Sequence, residues 1–136
     1  MKTYFDHERL HAYQKALAFA QWSEAILEGI PKSAAVFGQL DRARTSIVLN
    51  IPEGNGRFTA PDRCKFFDIA RGSGLECACC VDLIFIKKLI SEAELDEGKR
   101  LLVEVVSLLV GLIRSNSPDR LHEEAAEYRV GRTERD

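Results

Sequence analysis

Arg42-Ala-Arg-Thr-Ser-Ile-Val-Leu-Asn-Ile-Pro-Glu-Gly-Asn-Gly-Arg57 is the stretch on which the fold turns. Taken at 3.6 residues per turn, Leu40, Ala43, Ile47 and Ile51 form one apolar stripe. Arg42, Ser46, Asn50 and Glu53 form a second, polar row beside it. Such a pattern predicts the second half of an amphipathic helix, closed by the glycine-broken turn Gly54-Asn-Gly56. Pro52 cannot donate to the carbonyl of Val48, so the helix is expected to bend or loosen there.

Working outward, the residues on either side read as three more helices. Towards the N-terminus, a span of about 7–28 carries Leu10, Tyr13, Leu17 and Ala20 at helical spacing and stops at Gly29-Ile30-Pro31. Ser33 is the expected N-cap of the helix that contains the key stretch, about 34–53. Beyond it, Thr59-Ala-Pro-Asp62 combines a threonine cap, a first-turn proline and an acid that the helix dipole favours. The third helix is expected over about 60–90, with Phe66, Ala70, Ser73, Cys77, Cys80 and Ile84 facing inward. Gly72 and Gly74 each cost about 1 kcal/mol relative to alanine in a helix, which points to a close approach of another backbone. Ser91-Glu-Ala-Glu94 fits a capping box and opens a fourth helix over about 92–115. Residues 116–136 are charged or small and read as a tail, either a short exposed helix or disordered.

No segment alternates with period two, so strands are not expected. Four long helices with short links predict an all-α, antiparallel up-down-up-down four-helix bundle over residues 1–115. The chain of 136 residues suits one domain. Its longest apolar run, from Leu101 to Ile113, contains Glu104 and is shorter than the roughly 18 residues a membrane span needs. The first residues lack the apolar core of a signal peptide, and a cytoplasmic location is expected.

Net charge is −2. Residues 32–72 carry seven basic and four acidic groups, so the middle of the chain is mildly basic while the remainder is acidic. That asymmetry falls well short of the pI above about 9 that marks a committed nucleic-acid binder. Cys64, Cys77, Cys79 and Cys80 all fall in one predicted helix. A helix offers at most two such thiols to one point, and no second Cys/His pair of zinc spacing accompanies them, so they read as small packing residues. His7 and His11 sit four apart but lack a third ligand. Gly72-Ser-Gly74 follows no strand and matches neither phosphate-loop pattern. No metal, cofactor or catalytic residue is therefore expected.

Apolar residues exceed what one bundle axis requires. Val106, Leu108 and Leu112 on the fourth helix, Phe67 and Phe85 on the third, and Trp22 or Phe19 on the first cannot all face one centre. Unburied apolar surface forfeits about 25 cal/mol per Å², which predicts that copies of the chain shelter one another. The polar row fits a register-fixing contact in which Arg42, Ser46, Asn50 and Glu53 bond to each other or to Arg71 and Glu76 on the neighbouring helix. Read instead as a general acid/base pair, Glu53 and Glu76 would need a shared pocket.

Arg42-Ala43, Ser46-Ile47, Asn50-Ile51-Pro52-Glu53-Gly54 and Gly56-Arg57, followed by Phe67, Ile69-Ala70, Gly72-Ser73 and Glu76, resemble the signature of the four-helix-bundle proteins encoded by intervening sequences in 23S ribosomal RNA genes. The accessory variability proteins of diversity-generating retroelements look similar. The likeness covers about residues 7–115. It implies a bacterial, cytoplasmic helical bundle that assembles with itself into a ring, a homopentamer, with no enzymatic activity and an unsettled biological role. The retroelement relatives imply a second reading, an accessory protein binding RNA or DNA. Its phosphate contacts would come from the basic region around the second and third helices, namely Arg44, Arg57, Arg63 and Lys65. A protein partner bound by the repeated turn is the companion expectation to the scaffold reading.

Overall fold

Caps and stops set the helix boundaries. The computed structural model describes residues 2–116, which form α1 (His11–Glu28), α2 (Ala35–Asn55), α3 (Ala60–Ile86) and α4 (Glu92–Asn116), with no strand among the described residues. The expected tail lies outside the described residues apart from Asn116, which closes α4.

Two of the predicted starts are built as read. Thr59 accepts a hydrogen bond from the Asp62 amide at 3.3 Å, with Pro61 in the first turn. Ser91 and Glu94 form the reciprocal capping box: the Glu94 amide donates to Ser91 Oγ at 3.1 Å, and the Ser91 amide donates to Glu94 Oε1 at 2.9 Å.

Three other boundaries differ from the sequence reading. The chain enters α1 through a separate 3-10 turn, Asp6–Arg9, because Leu10 is extended and breaks the helix that was expected to begin near residue 7. Ser33 is not the cap of α2; Ala34 holds that position without a side-chain bond. At the other end, α2 continues through Pro52 to Asn55 and is closed by the Gly56 amide donating to the Pro52 carbonyl at 2.9 Å.

A shift as large as that of the α1 start falls at the end of α3, four residues before the expected position. Lys88 adopts φ 63°, the Leu89 amide donates to the Ile84 carbonyl at 3.2 Å, and the Lys88 amide to the Phe85 carbonyl at 2.9 Å. This pair of bonds is a Schellman closure with lysine where glycine is usual, so no glycine marks it in the sequence.

The helices pack in a ring of neighbours: α2 on α3, α3 on α4, α4 on α1 and α1 on α2, with no close backbone approach across either diagonal. Side-chain bridges fix the antiparallel registers. Ser46 pairs with Ser73, Asp82 with Lys99 at 2.6 Å, and Lys15 with Glu104 at 2.8 Å. Leu40, Ile47 and Ile51 of α2 meet Phe67, Val81 and Ile84 of α3 in a core completed by Phe19, Val105, Leu109 and Ile113.

Part of the apolar surplus is absorbed within one copy. Phe19 and Phe67 are fully buried, and Val106 reaches to 3.1 Å from where a Cβ on Gly74 would sit. Trp22 fills the space above Gly98, where an added Cβ would lie 2.4 Å from the indole ring. Leu108 and Leu112 pack half-buried against the core. Phe66, expected inside, is only half-buried, and its neighbour Phe67 takes the core position.

Candidate interaction surface on α2 and α3

Ser46 is the centre of the polar row. It accepts from Asn50 Nδ2 at 3.1 Å through its hydroxyl and at 2.8 Å through its carbonyl, and the Ser73 hydroxyl donates to its Oγ at 2.8 Å across the helix pair. The cross-helix partner is therefore Ser73, not Arg71 or Glu76. Arg71 instead pairs with Asp68 at 3.0 Å on its own helix, and Glu53 pairs with Arg57 at 2.9 Å. Arg42 and Glu76 are exposed.

That register also separates the two carboxylates considered as an acid/base pair. With position 46 level with position 73, Glu53 stands level with residue 66, ten residues from Glu76. Ten residues correspond to about 15 Å along the axis, so these carboxylates share no site.

The four basic residues divide into two kinds. Arg44 is no surface contact. Its side chain is 13% exposed and sits between α1 and α2, donating to the Ala20 carbonyl at 3.0 Å and Ser23 Oγ at 3.2 Å while pairing with Glu24 at 2.6 Å and Asp41 at 2.9 Å. Burial acts to lower its pKa, but hydrogen bonds and charge from Asp41 and Glu24 outweigh this, and the net direction is up. Ser23, fully buried, gave no sign in the sequence of being Arg44's partner.

Arg63 is half-buried and donates to the carbonyls of Asn55 at 2.8 Å and Arg57 at 3.3 Å, satisfying the end of α2. Arg57 and Lys65 remain on the surface and bracket one ring: the Arg57 guanidinium lies 4.5 Å and the Lys65 ammonium 5.7 Å from the Phe66 centroid. Phe58 beside them is fully exposed, at 102%. With Leu49 and Pro52, Phe58 lines a shallow groove whose rim carries Glu53, Arg57 and Asp62.

The outer side of α3 is the feature that sequence reading missed. Leu75, Cys79, Leu83 and Ile86 recur at i+4, i+4 and i+3 on the face turned away from the core, all exposed, with Ile86 at 70%. Gly72 lies a turn earlier with nothing within 4 Å of an added Cβ, whereas Gly74 faces Val106 and Ile47. The close backbone approach expected at both glycines is met at neither: Gly74 makes room for the side chains of Val106 and Ile47, and Gly72 faces open space. A helical wheel of α3 alone carries this second stripe alongside the inward one.

The cysteines divide in the same way. Cys64, Cys77 and Cys80 are buried, and Cys79 is exposed. Burial, reinforced by Cys80 and Glu76 and opposed by Arg44, pushes the Cys77 thiol up to about 12, and burial likewise raises Cys80. Both are protonated near neutrality and poor nucleophiles there. Among the described residues no cluster of three or more His, Cys, Asp or Glu could hold a metal. His7 is stacked at 5.9 Å on Phe5 and edge-on at 4.7 Å to Tyr13, while His11 is exposed.

The model of the 23S rRNA-intervening sequence protein family matches residues 8–111. The chain belongs to that family. The match includes α1, α2 and α3 entirely and α4 as far as residue 111. Among solved structures, a protein of unknown function from the S23 ribosomal protein family of Bacteroides thetaiotaomicron is similar, with a TM-score of 0.69 and 22% identity over 76% of this chain and 98% of that one. At that identity the likeness establishes the bundle fold alone. No curated protein matches at a significant level. No helix among the described residues is long and apolar enough to cross a membrane.

Proposed function

We propose that this protein is a non-enzymatic, homo-oligomeric helical-bundle scaffold that acts in the cytoplasm and presents the α2–α3 turn as a repeated surface to a partner. The observation that carries the reading is the second apolar stripe of α3, Leu75, Cys79, Leu83 and Ile86, on a helix whose opposite side already fills the core. A helix apolar on both sides is stable in water when both sides are covered. The resemblance of the Arg42–Glu76 string adds the number and form of the assembly, a ring of five. Light scattering of the full chain at micromolar concentration tests this: a mass several times that of one chain is expected, and a monodisperse monomer would remove the proposal.

A second reading has its own support. Arg57 and Lys65 around Phe66, with Phe58 exposed beside them, combine cations and rings in the way single-stranded nucleic acid is bound. This follows the likeness to the accessory variability proteins, with Arg57 and Lys65 as the contacts and Arg44 excluded by its burial. Repetition around a ring would multiply a weak patch. Binding to RNA or DNA at two salt concentrations decides it: affinity must fall steeply with salt, and absence of binding at low salt excludes it.

A further inference from the structure

Two apolar features on this chain, a ridge and a groove, lie too far apart to meet within one copy. One is a ridge at the C-terminal half of α3, where Cys79, Leu83 and Ile86 project on successive turns and Lys87 and Lys88 follow directly. The other is the groove of Leu49, Pro52 and Phe58 at the α2–α3 turn, rimmed by Glu53, Arg57 and Asp62. From Asp62 to Ile86 is 24 residues of one helix, about 36 Å, so the ridge of a copy cannot reach its own groove.

We propose that the α3 ridge of one copy seats in the α2–α3 groove of a second copy. The inference rests on the self-association proposed above and deepens it by naming the two surfaces: the partner of the α2–α3 turn is the next copy. Helix packing places the side-chain ridge of one helix into a groove between side chains of another, and here a single chain carries both parts. Charge agrees with shape. Two lysines lie at the end of the ridge, and the groove rim has two carboxylates against one arginine, that arginine already paired with Glu53. A second copy therefore brings apolar and charged complements together. A contact between two different surfaces is head-to-tail, and such contacts close into a ring when the rotation between copies permits.

This geometry makes a test that an identical-surface contact would fail. Leu83→Glu disables the ridge and leaves the groove; Phe58→Glu disables the groove and leaves the ridge. Both side chains are exposed, so neither change disturbs the core. Each variant alone is expected to be monomeric by light scattering. Mixed in equal amounts, they retain one working contact, from the Phe58→Glu ridge to the Leu83→Glu groove, and are expected to form a dimer that cannot grow.

Cys79 reports the direction of that contact, since it is the exposed thiol of the four and lies on the ridge. In the mixture, maleimide labelling of Cys79 should slow about tenfold in the Phe58→Glu chain, as expected for a site about 90% occupied, and remain unchanged in the Leu83→Glu chain. Variants that stay assembled, a mixture that stays monomeric, or equal protection of Cys79 in both chains would overturn the ridge-and-groove contact while leaving self-association standing. Wild-type protein that is itself monomeric would overturn both.

Discussion

Replacing Gly54 with alanine isolates the steric reason for a glycine at the end of α2. A Cβ at that position would lie 2.8 Å from two ring carbons of Phe67 and 3.0 Å from the Arg63 carbonyl oxygen. Ordinary contacts begin near 3.4 Å, so the ring or the backbone must move by about half an ångström. Phe67 has no exposed surface into which it could turn, and the second neighbour is main chain. Overpacking of this kind costs about 1–3 kcal/mol. Alanine recovers about 1 kcal/mol through helix propensity, leaving a net loss of up to about 2 kcal/mol. The same substitution at Gly72, where nothing lies within 4 Å, keeps the propensity gain and should stabilise the isolated bundle by up to about 1 kcal/mol. Urea unfolding of both variants at one fixed protein concentration gives the comparison, since assembly is linked to stability. Adding Phe67→Leu to Gly54→Ala should return part of the loss, a coupling of about 1–2 kcal/mol in a double-mutant cycle. If Gly54→Ala is as stabilising as Gly72→Ala, the close packing assigned to this turn is wrong.

Further consequences follow from the same coordinates. Lys88→Gly should stabilise by about 1 kcal/mol in urea melts, because Lys88 holds a left-handed φ of 63° that glycine adopts without strain. Arg44→Ala should destabilise by about 2–3 kcal/mol, leaving buried Ser23 and the Ala20 carbonyl without their charged donor, and Arg44→Lys should recover only part of that, since an ammonium cannot span the same acceptors. Stability should also fall in alkali. The Cys77 thiol is raised from 9.0 to about 12 in the folded chain, so between these values the unfolded state has released a proton that the folded state keeps. The stabilisation is fully present below pH 9 and is lost as pH rises towards 12, at up to about 1.4 kcal/mol per pH unit. Urea melts from pH 8 to 11 read that slope, which Cys77→Ala should reduce.

Much of the fold was legible because its signals are local. The Thr59 and Ser91 caps are short strings with one physical meaning, and the Leu40–Ile51 stripe has one period. Where the reading failed, the cause was tertiary or masked by residue type. Lys88 ends α3 through backbone conformation, which a lysine does not announce, and Leu10 breaks the first helix with no glycine or proline nearby. Arg44 resembled a surface cation because its four partners come from two helices and include a serine and a carbonyl. Phe19 and Phe67 were assigned to an excess that one copy in fact buries. Phe85 of that set is exposed as read, and the rest of the unsheltered surface lies along Leu75, Cys79, Leu83 and Ile86 and at Leu49 and Phe58, positions that an inward-looking helix assignment passes over. Of the polar row, the Ser46–Asn50 bond was readable from i, i+4 spacing, whereas Ser73 as the cross-helix partner needed the register.

The central claim, that this bundle completes its surface with copies of itself, meets its most direct test in sedimentation equilibrium of the full chain over a micromolar concentration range. Self-association through a ring of five gives a single species at five times the 15.3 kDa chain mass. A single ideal species at 15.3 kDa across that range would contradict it.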